Sequence, residues 1–173
     1  ALDYCMENGI DIASMSLGSG GGSQILADRI ERARALGTAC IVAAGNSANA
    51  VNFPALLSST LAVSAIGKWG EFPPDSFHNE QVLEGFQGRQ GYFPASFSCF
   101  GPEVGVCGPG VAIISAVPLD GFAAWDGTSM ATPHVAGLAA LVLAHHPDFR
   151  SQFSARNSAR VDHLFEIIRA SCQ

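Results

Sequence analysis

The sequence predicts an α/β fold in which a mostly parallel β-sheet carries helices on both faces. Residues 38–44 and 60–66 are uninterrupted apolar runs, which are typical of strands buried on both faces of a parallel sheet. Segments with helical periodicity alternate with these runs, and that order favours right-handed strand-helix-strand crossovers. The sequence contains no internal repeat or low-complexity tract. We therefore expect one domain over residues 1–173.

The N-terminal elements follow from their patterns and flanking residues. Residues 3–8 read as the end of a helix, and residues 10–17 read as a strand that leads into a glycine run. Residues 24–36 have helical periodicity, with Ser23 as the expected N-cap and Gly37 just past the C-terminal end. These elements precede the two buried strands.

A hairpin and two helices are predicted for the C-terminal part. Residues 111–117 and 122–125 flank a Pro-Leu-Asp-Gly turn and read as a β-hairpin. The next helix ends near residues 145–147 and is apolar nearly all round, which predicts a buried central helix. Residues 158–170 form a final amphipathic helix.

Composition narrows the class of protein. Charged residues make up 14% of the chain, against about 25% in typical soluble domains, so much of the chain is expected to lie in an interior. The formal net charge of −6 argues against nucleic acid or an anionic membrane as a partner. No apolar run reaches the ~18 residues of a membrane span.

Five cysteines are an odd number without CxxC spacing, which disfavours both a complete set of internal disulfides and a zinc site. Cys40 and Cys107 lie in apolar, strand-like runs and are expected to be small buried thiols. This cysteine usage points to a reducing compartment.

Residues 127–137, Gly-Thr-Ser-Met-Ala-Thr-Pro-His-Val-Ala-Gly, place a hydroxyl group at the start of the apolar helix. Thr128 and Ser129 are residue types that cap helices, and Pro133 lies where its missing N–H is not needed. The free N–H groups and the positive dipole end of such a helix suit a site where negative charge develops on an acyl oxygen. Ser129 is the candidate nucleophile, although the triplet taken alone also fits an ordinary N-cap.

Asn46 is the second candidate. It follows a buried strand, so its side chain is expected at the carboxyl end of the sheet, where open α/β sheets place their sites. Taken alone, an asparagine at such a position also fits a turn residue.

Residues 127–137 resemble the active-serine signature of the subtilisin-like serine proteases, or subtilases. The similarity continues in the family's order through Asp-Ile-Ala-Ser-Met-Ser-Leu-Gly at 11–18, Val-Ala-Ala-Gly-Asn at 42–46, Phe-Pro-Ala at 53–55 and Ser-Phe-Ser-Cys-Phe-Gly-Pro at 96–102. It covers nearly the whole chain except residues 68–94, which read as a surface insertion. The resemblance implies a subtilisin-like three-layer architecture.

The resemblance also implies a serine endopeptidase that acts on polypeptides. Ser129 would form the acyl-enzyme, and the Asn46 amide would hold the oxyanion together with the backbone N–H of Ser129. An extended substrate would pair with the edge segment as an added strand, although residues 16–18 taken alone fit a simple strand end equally well. The substrate-binding residues implied are Ser16, Leu17, Gly18, Ala43, Ala44, Gly45, Asn52 and Thr128.

Asn52 and the bond after Phe53 carry two further expectations from the resemblance. Many subtilases have glycine where this chain has Asn52, so its side chain is expected to narrow the pocket for the residue before the scissile bond. The Phe53–Pro54 peptide bond is expected to be cis, as in the family.

Two members of the family's triad have no counterpart in these residues. Subtilases carry the triad residues Asp, His and Ser in that order along the chain. In these proteases, the segment that residues 1–18 resemble comes after both the Asp and the His. His134 matches a structural histidine, and Asp126, at a position where the family often has Asn, matches no triad carboxylate. We therefore expect an N-terminally truncated catalytic domain that is inactive alone.

The missing N-terminal part or a complementary chain would complete such a domain, and its uncovered apolar surface favours homo-oligomers. The alternative function is a non-catalytic peptide-binding or scaffolding module derived from a subtilase. No cofactor motif is evident, but the resemblance admits a structural calcium ion. The family is often secreted whereas the cysteines point to the cytoplasm, so the location is left open.

The insertion at 68–94 mixes aromatic residues and prolines with polar residues. His78, with Asp75 and Glu80 nearby, is more typical of solvated side chains than of a metal site, so we assign no metal ligand there. A long ordered loop of this kind also fits a substrate-side or partner-binding role.

Overall fold

The computed structural model describes residues 1–83, 85, 86 and 88–172, so positions 84 and 87 of the predicted insertion lie outside the described residues. The helices and strands are α1 (Leu2–Glu7), β1 (Ile12–Met15), α2 (Gln24–Ala35), β2 (Ala39–Ala43), β3 (Thr60–Lys68), β4 (Tyr92–Pro94), β5 (Val104–Pro109), β6 (Ile113–Val117), β7 (Gly121–Trp125), α3 (Thr128–His145) and α4 (Ser158–Ser171). Short 3-10 turns occur at Phe77–Gln81, Arg89–Gly91 and Pro147–Arg150.

Five strands form one sheet, in the order β1-β2-β3-β4, with β5 also paired to β3. The pairs β1·β2, β2·β3 and β3·β5 are parallel. Strand β4 is antiparallel and pairs with the end of β3 from Ile66 to Lys68. Strands β6 and β7 form the predicted hairpin as a separate antiparallel sheet. The mostly parallel sheet is confirmed. Strand β4 was not predicted, and β5 was indicated only by the strand-like run around Cys107.

Side chains of β2 and β3 alternate between two apolar cores. Ile41 and Leu61 lie in a core with residues of α3 and α4. Cys40 and Val42 lie in a second core, which contains residues of α2 and contacts α1. Each large aliphatic side chain that is fully buried contributes about 1.5–3 kcal/mol to the free energy of unfolding. Helices therefore cover both faces of the sheet, and the predicted three layers are present.

Helix α2 begins and ends as predicted. The Ser23 hydroxyl oxygen accepts a hydrogen bond from the Leu26 N–H at 3.4 Å. Gly37 follows the helix with a φ of 82°, and a Cβ there would lie 2.9 Å from the Cα of Arg156. Only glycine combines this left-handed conformation with so close a neighbour.

Helix α3 is buried on one face only. Ala131, Val135 and Ala139 lie in the core, whereas the side chains of Leu138 and Leu141 are 40% and 60% exposed. The prediction of a helix buried all round is wrong, because the described elements leave this face uncovered. No helix in the described residues combines the length and apolar character that crossing a bilayer requires.

The two cysteines that were predicted to be buried differ in their exposure to solvent. Cys40 is 1% exposed, and burial raises the pKa of its thiol to about 12. The prediction is wrong for Cys107, which is exposed on β5, because alternate residues of this outer strand face away from the core. All five thiols are free.

Candidate active site

Ser129 lies in the first turn of α3, one residue after the helix begins. The N-cap is Gly127, which makes no side-chain cap, and not Thr128 or Ser129 as the residue types suggested. The Gly127 N–H donates to the carbonyl of Gly110 at 2.8 Å, which ties the start of the helix to the end of β5. Because the first N–H groups of a helix have no acceptor within it, the Ser129 N–H is available to an oxyanion.

Asn46 is oriented by the residue before the nucleophile. Its Oδ1 accepts hydrogen bonds from the backbone N–H of Thr128 at 2.9 Å and from the Thr128 hydroxyl at 2.8 Å. The same hydroxyl oxygen accepts from the Gly45 N–H at 3.2 Å. Since Oδ1 is occupied, the Asn46 Nδ2 is the atom left to donate, and it would lie 3.4 Å from a Cβ built on Gly127. Asn46 and Ser129 thus present two donors at one place.

Thr128 orients this pair of donors through its hydrogen bonds. Its side chain is 1% exposed, and its hydroxyl is used by Asn46 and Gly45. The structure therefore gives Thr128 a positioning contact, while a direct contact with substrate stays a prediction.

The expected peptide-binding segment lies beside Ser129. The Ser16 hydroxyl donates to the backbone carbonyl of Ser129 at 2.9 Å, so it also contacts the nucleophile's own backbone. Strand β1 ends at Met15, so residues 16–18 continue beyond the strand. The predicted strand, 10–17, is therefore too long at this end. Leu17 is 52% exposed, as a residue that receives a substrate strand must be.

The residues of the expected specificity pocket form one cluster. Ala43 and Ala44 are buried, and Ala44 accepts at its carbonyl from the Asn52 N–H at 2.9 Å. A Cβ on Gly45 would lie 2.3 Å from the Asn52 Nδ2, and one on Gly18 would lie 3.5 Å from the Asn52 Cβ. The Asn52 side chain thus lies against the backbone of both segments. The adjoining Phe53–Pro54 bond is cis, as predicted.

A cavity of about 420 Å³ adjoins Ser129 and Asn46. The 3-10 turn of the insertion contributes Phe77 and His78 to its wall. The Nδ1 of His78 donates to the Oδ1 of Asp126 at 2.7 Å, and the two side chains are 15% and 9% exposed. The expectation of a solvated histidine is therefore wrong. No feature of the sequence indicated the contact between His78 and Asp126, which lie 48 positions apart.

Other candidate groups lie elsewhere. The Nδ1 of His134 donates to the Met130 carbonyl at 2.8 Å, one turn back along α3, in agreement with a structural role. Among the described residues no group of three or more His, Cys, Asp or Glu side chains could hold a metal ion. Calcium binding stays a prediction from the family.

Known proteins resemble this chain over most of its length. The family model described as "Subtilase family" matches residues 1–161. The chain is 36% identical to subtilisin DY of Bacillus licheniformis over an alignment of 169 positions, and the alignment covers 94% of this chain and 54% of that protein. It is 38% identical to alkaline elastase YaB of Bacillus sp. (strain YaB), over 90% of this chain and 35% of that protein. The chain thus spans about half or less of the length of these relatives.

Solved structures show the same fold. A cold-adapted subtilisin-like serine proteinase superposes with a TM-score of 0.70 and 27% identity, over 98% of this chain and 51% of that one. Sphericase superposes with a TM-score of 0.72 at 24% identity, over 98% of this chain and 51% of that one. The match to the family model over residues 1–161 shows that the chain belongs to the subtilase family of serine proteases.

Proposed function

We propose that the chain carries the nucleophile and the oxyanion site of a serine endopeptidase. The observation that supports this most directly is the set of hydrogen bonds from Thr128 to Asn46, which directs the Asn46 amide toward the start of the helix that carries Ser129. A scaffold that only bound peptides would need neither group in this orientation. Membership of the subtilase family supports the same chemistry.

The reaction proceeds through an ester on Ser129. The Ser129 Oγ attacks the scissile carbonyl carbon, and its proton passes to a histidine. The negative charge on the carbonyl oxygen is stabilised by the Ser129 N–H and the Asn46 Nδ2. The C–N bond then breaks, and the leaving amine takes the proton from the histidine. Water attacks the acyl-enzyme in the same way and releases the acid and free Ser129.

The histidine and the aspartate that orients it come, in this proposal, from residues outside these 173. The likeness to relatives of which the chain spans about half supports such an arrangement. We call this chain, joined to the residues that supply the histidine and aspartate, the complete protein. Its substrates would be polypeptides, and the chain alone would be inactive. The missing part, a complementary chain or a second copy would cover the exposed face of α3.

Asn52 would set the preference of the acyl side of the site. Its amide lies against Gly45 and its Cβ lies near Gly18, and a bulky apolar group in that position would clash with the amide or leave it without a hydrogen-bond partner. An unsatisfied buried polar group costs about 1–3 kcal/mol, enough for about a tenfold to hundredfold change in preference. The complete protein is therefore expected to favour small or polar residues before the cleaved bond.

Labelling with a fluorophosphonate tests the proposal. The complete protein should be labelled on Ser129, and Ser129→Ala should remove both the label and peptide hydrolysis. Asn46→Ala should keep the fold and lower turnover by about 10²–10³, a magnitude that comes from a subtilisin, a relative of this chain. A complete protein that shows no labelling dependent on Ser129 would contradict the proposal and leave the non-catalytic peptide-binding module.

A further inference from the structure

Three segments of the chain meet at the side chain of Asp126. Its Oδ1 accepts a hydrogen bond from the Nδ1 of His78, in the insertion, at 2.7 Å and another from the backbone N–H of Ala112, just before β6, at 2.7 Å. Asp126 immediately precedes Gly127, whose own N–H donates to the Gly110 carbonyl at 2.8 Å. The Asp126 carboxylate therefore joins the insertion and the segment between β5 and β6 to the start of α3.

The insertion holds His78 in place independently of Asp126. The ring of His78 meets the buried ring of Phe72 edge to face at 6.0 Å, and Phe72 meets Phe93 of β4 in the same way at 6.2 Å. Trp69 stacks on Phe72 at 6.4 Å. Because Phe93 is 1% exposed and lies in the core, this aromatic cluster fixes His78 relative to the central sheet.

The Asp126 carboxylate depends on His78 for one of the two hydrogen bonds that the described residues give it. Its side chain is only 9% exposed, and its second carboxylate oxygen, Oδ2, is buried without a hydrogen-bond partner among those residues. A buried carboxylate that keeps only the Ala112 N–H is poorly compensated. Without His78 we therefore expect Asp126 to turn toward solvent and to shift the backbone of Gly127, to which it is bonded.

A shift of Gly127 reaches both oxyanion donors. One donor is the backbone N–H of Ser129, two residues further along the helix. The other is the Asn46 amide, which is oriented by the backbone N–H of Thr128 at 2.9 Å and by its hydroxyl at 2.8 Å. Both donors are thus tied to the three residues that follow Asp126.

We propose that His78 is a positioning residue for these two donors, which it holds in place through Asp126. The inference rests on the proposed function, since it concerns the oxyanion that forms when Ser129 attacks. That charge is present in the transition state and not in the bound substrate. Loss of the His78 hydrogen bond therefore lowers kcat and leaves KM nearly unchanged.

Two substitutions of His78 in the complete protein test the proposal. His78→Asn places an amide nitrogen where the imidazole has Nδ1, so it keeps a donor to Asp126, whereas His78→Leu has a similar size and no donor. His78→Leu should lower kcat about tenfold with KM within about twofold, a part of the loss of about 10²–10³ that follows removal of a whole oxyanion donor. His78→Asn should keep kcat within about threefold of the wild type. If His78→Asn were as slow as His78→Leu, altered packing would explain the loss and the inference would be overturned.

His163→Leu is the matched control. The Nε2 of His163 donates to the Oδ2 of Asp148 at 2.8 Å, and its ring stacks on Phe153 at 3.9 Å. Its side chain is 21% exposed, against 15% for His78, and it does not line the cavity beside Ser129. His163→Leu should lower Tm by a similar amount, because it also removes a donor to a carboxylate, and should change kcat by less than about twofold. Equal kcat values for the two leucine variants would contradict the inference.

A double-mutant cycle tests whether His78 acts through Asp126. Asp126→Ala removes the acceptor, so adding His78→Leu to it should lower kcat further by less than about twofold. A tenfold loss in both backgrounds would show that His78 acts by another route and would refute the proposal. If His78→Leu does not fold, His78→Gln takes its place in each comparison, because its amide lies one carbon farther from the backbone than Nδ1 does.

Fluorophosphonate labelling of the wild type separates this inference from the proposed function. Labelling on Ser129, together with a kcat that does not distinguish His78→Leu from His163→Leu, overturns the positioning role alone. No labelling on Ser129 in the complete protein overturns both proposals. Labelling together with a loss of kcat in His78→Leu that His78→Asn restores supports both.

Discussion

Replacing Thr128 by valine tests how the oxyanion site is held together. The substitution keeps the shape of the side chain and removes the hydroxyl that donates to the Asn46 Oδ1 at 2.8 Å and accepts from the Gly45 N–H at 3.2 Å. Thr128 is 1% exposed, so water has no direct route to replace the hydroxyl. The Asn46 amide keeps one hydrogen bond, from the Thr128 backbone N–H.

Two effects of different size follow. The Gly45 N–H loses its acceptor, which costs about 1–3 kcal/mol of the free energy of unfolding and lowers Tm by about 2–4 °C per kcal/mol in a domain of this size. The amide of Asn46 becomes less well oriented, and its contribution to turnover falls. Complete loss of the donor would cost about 10²–10³, so a partial loss of about tenfold in kcat is expected with little change in KM.

Thr132→Val is the matched control. Thr132 is fully buried one turn further along α3, and its hydroxyl donates to the Thr128 carbonyl at 2.7 Å without contact with Asn46. It should cost about 1 kcal/mol or less in stability and leave kcat unchanged. Unfolding in denaturant and steady-state hydrolysis by the complete protein measure both quantities. Equal kcat values for the two variants would refute the role given to the Thr128 hydroxyl.

Four further outcomes are expected. The chain alone should hydrolyse a fluorogenic peptide no faster than its Ser129→Ala variant, because in the proposed function the triad histidine comes from residues outside these 173. It should associate in sedimentation experiments, and Leu141→Lys, on the exposed face of α3, should shift it toward the monomer; a stable wild-type monomer at all concentrations would count against this. At pH 8 the folded chain should react with iodoacetamide at exposed Cys172 and not at Cys40, whose raised pKa of about 12 keeps the thiol protonated until the chain unfolds. In the complete protein, Asn52→Gly should increase cleavage after Phe or Tyr in a peptide library, and an unchanged cleavage profile would show that Asn52 does not face the substrate.

The features that the sequence predicted are those that local patterns encode. Ser23 and Gly37 bracket α2 because capping and left-handed residues act within one turn of the chain. The apolar runs of β2 and β3 have no alternation because both faces of these strands are buried, and this is visible residue by residue. Ser129 and Asn46 were predicted as chemical residues from a motif and a strand end.

The features that the sequence did not predict depend on partners far along the chain. His78 is paired because a carboxylate 48 residues later meets it, and nothing near His78 distinguishes it from a solvated histidine. Strand β4 has three residues, too few for an alternation to show, and it exists through pairing with β3. The exposure of Leu141 likewise depends on which elements cover α3 and not on the helix's own pattern.

The meeting of Ser129 with Asn46 depends on glycines that carry no chemistry. A Cβ on Gly108 would lie 2.8 Å from the Ala131 carbonyl oxygen, and one on Gly110 would lie 2.8 Å from the Gly127 carbonyl oxygen. Any side chain on these residues at the end of β5 would push the start of α3 away from the sheet. Asn46 follows β2 in that sheet, so the same displacement would separate the two oxyanion donors. The bare backbone at the end of β5 therefore keeps the two proposed oxyanion donors close together.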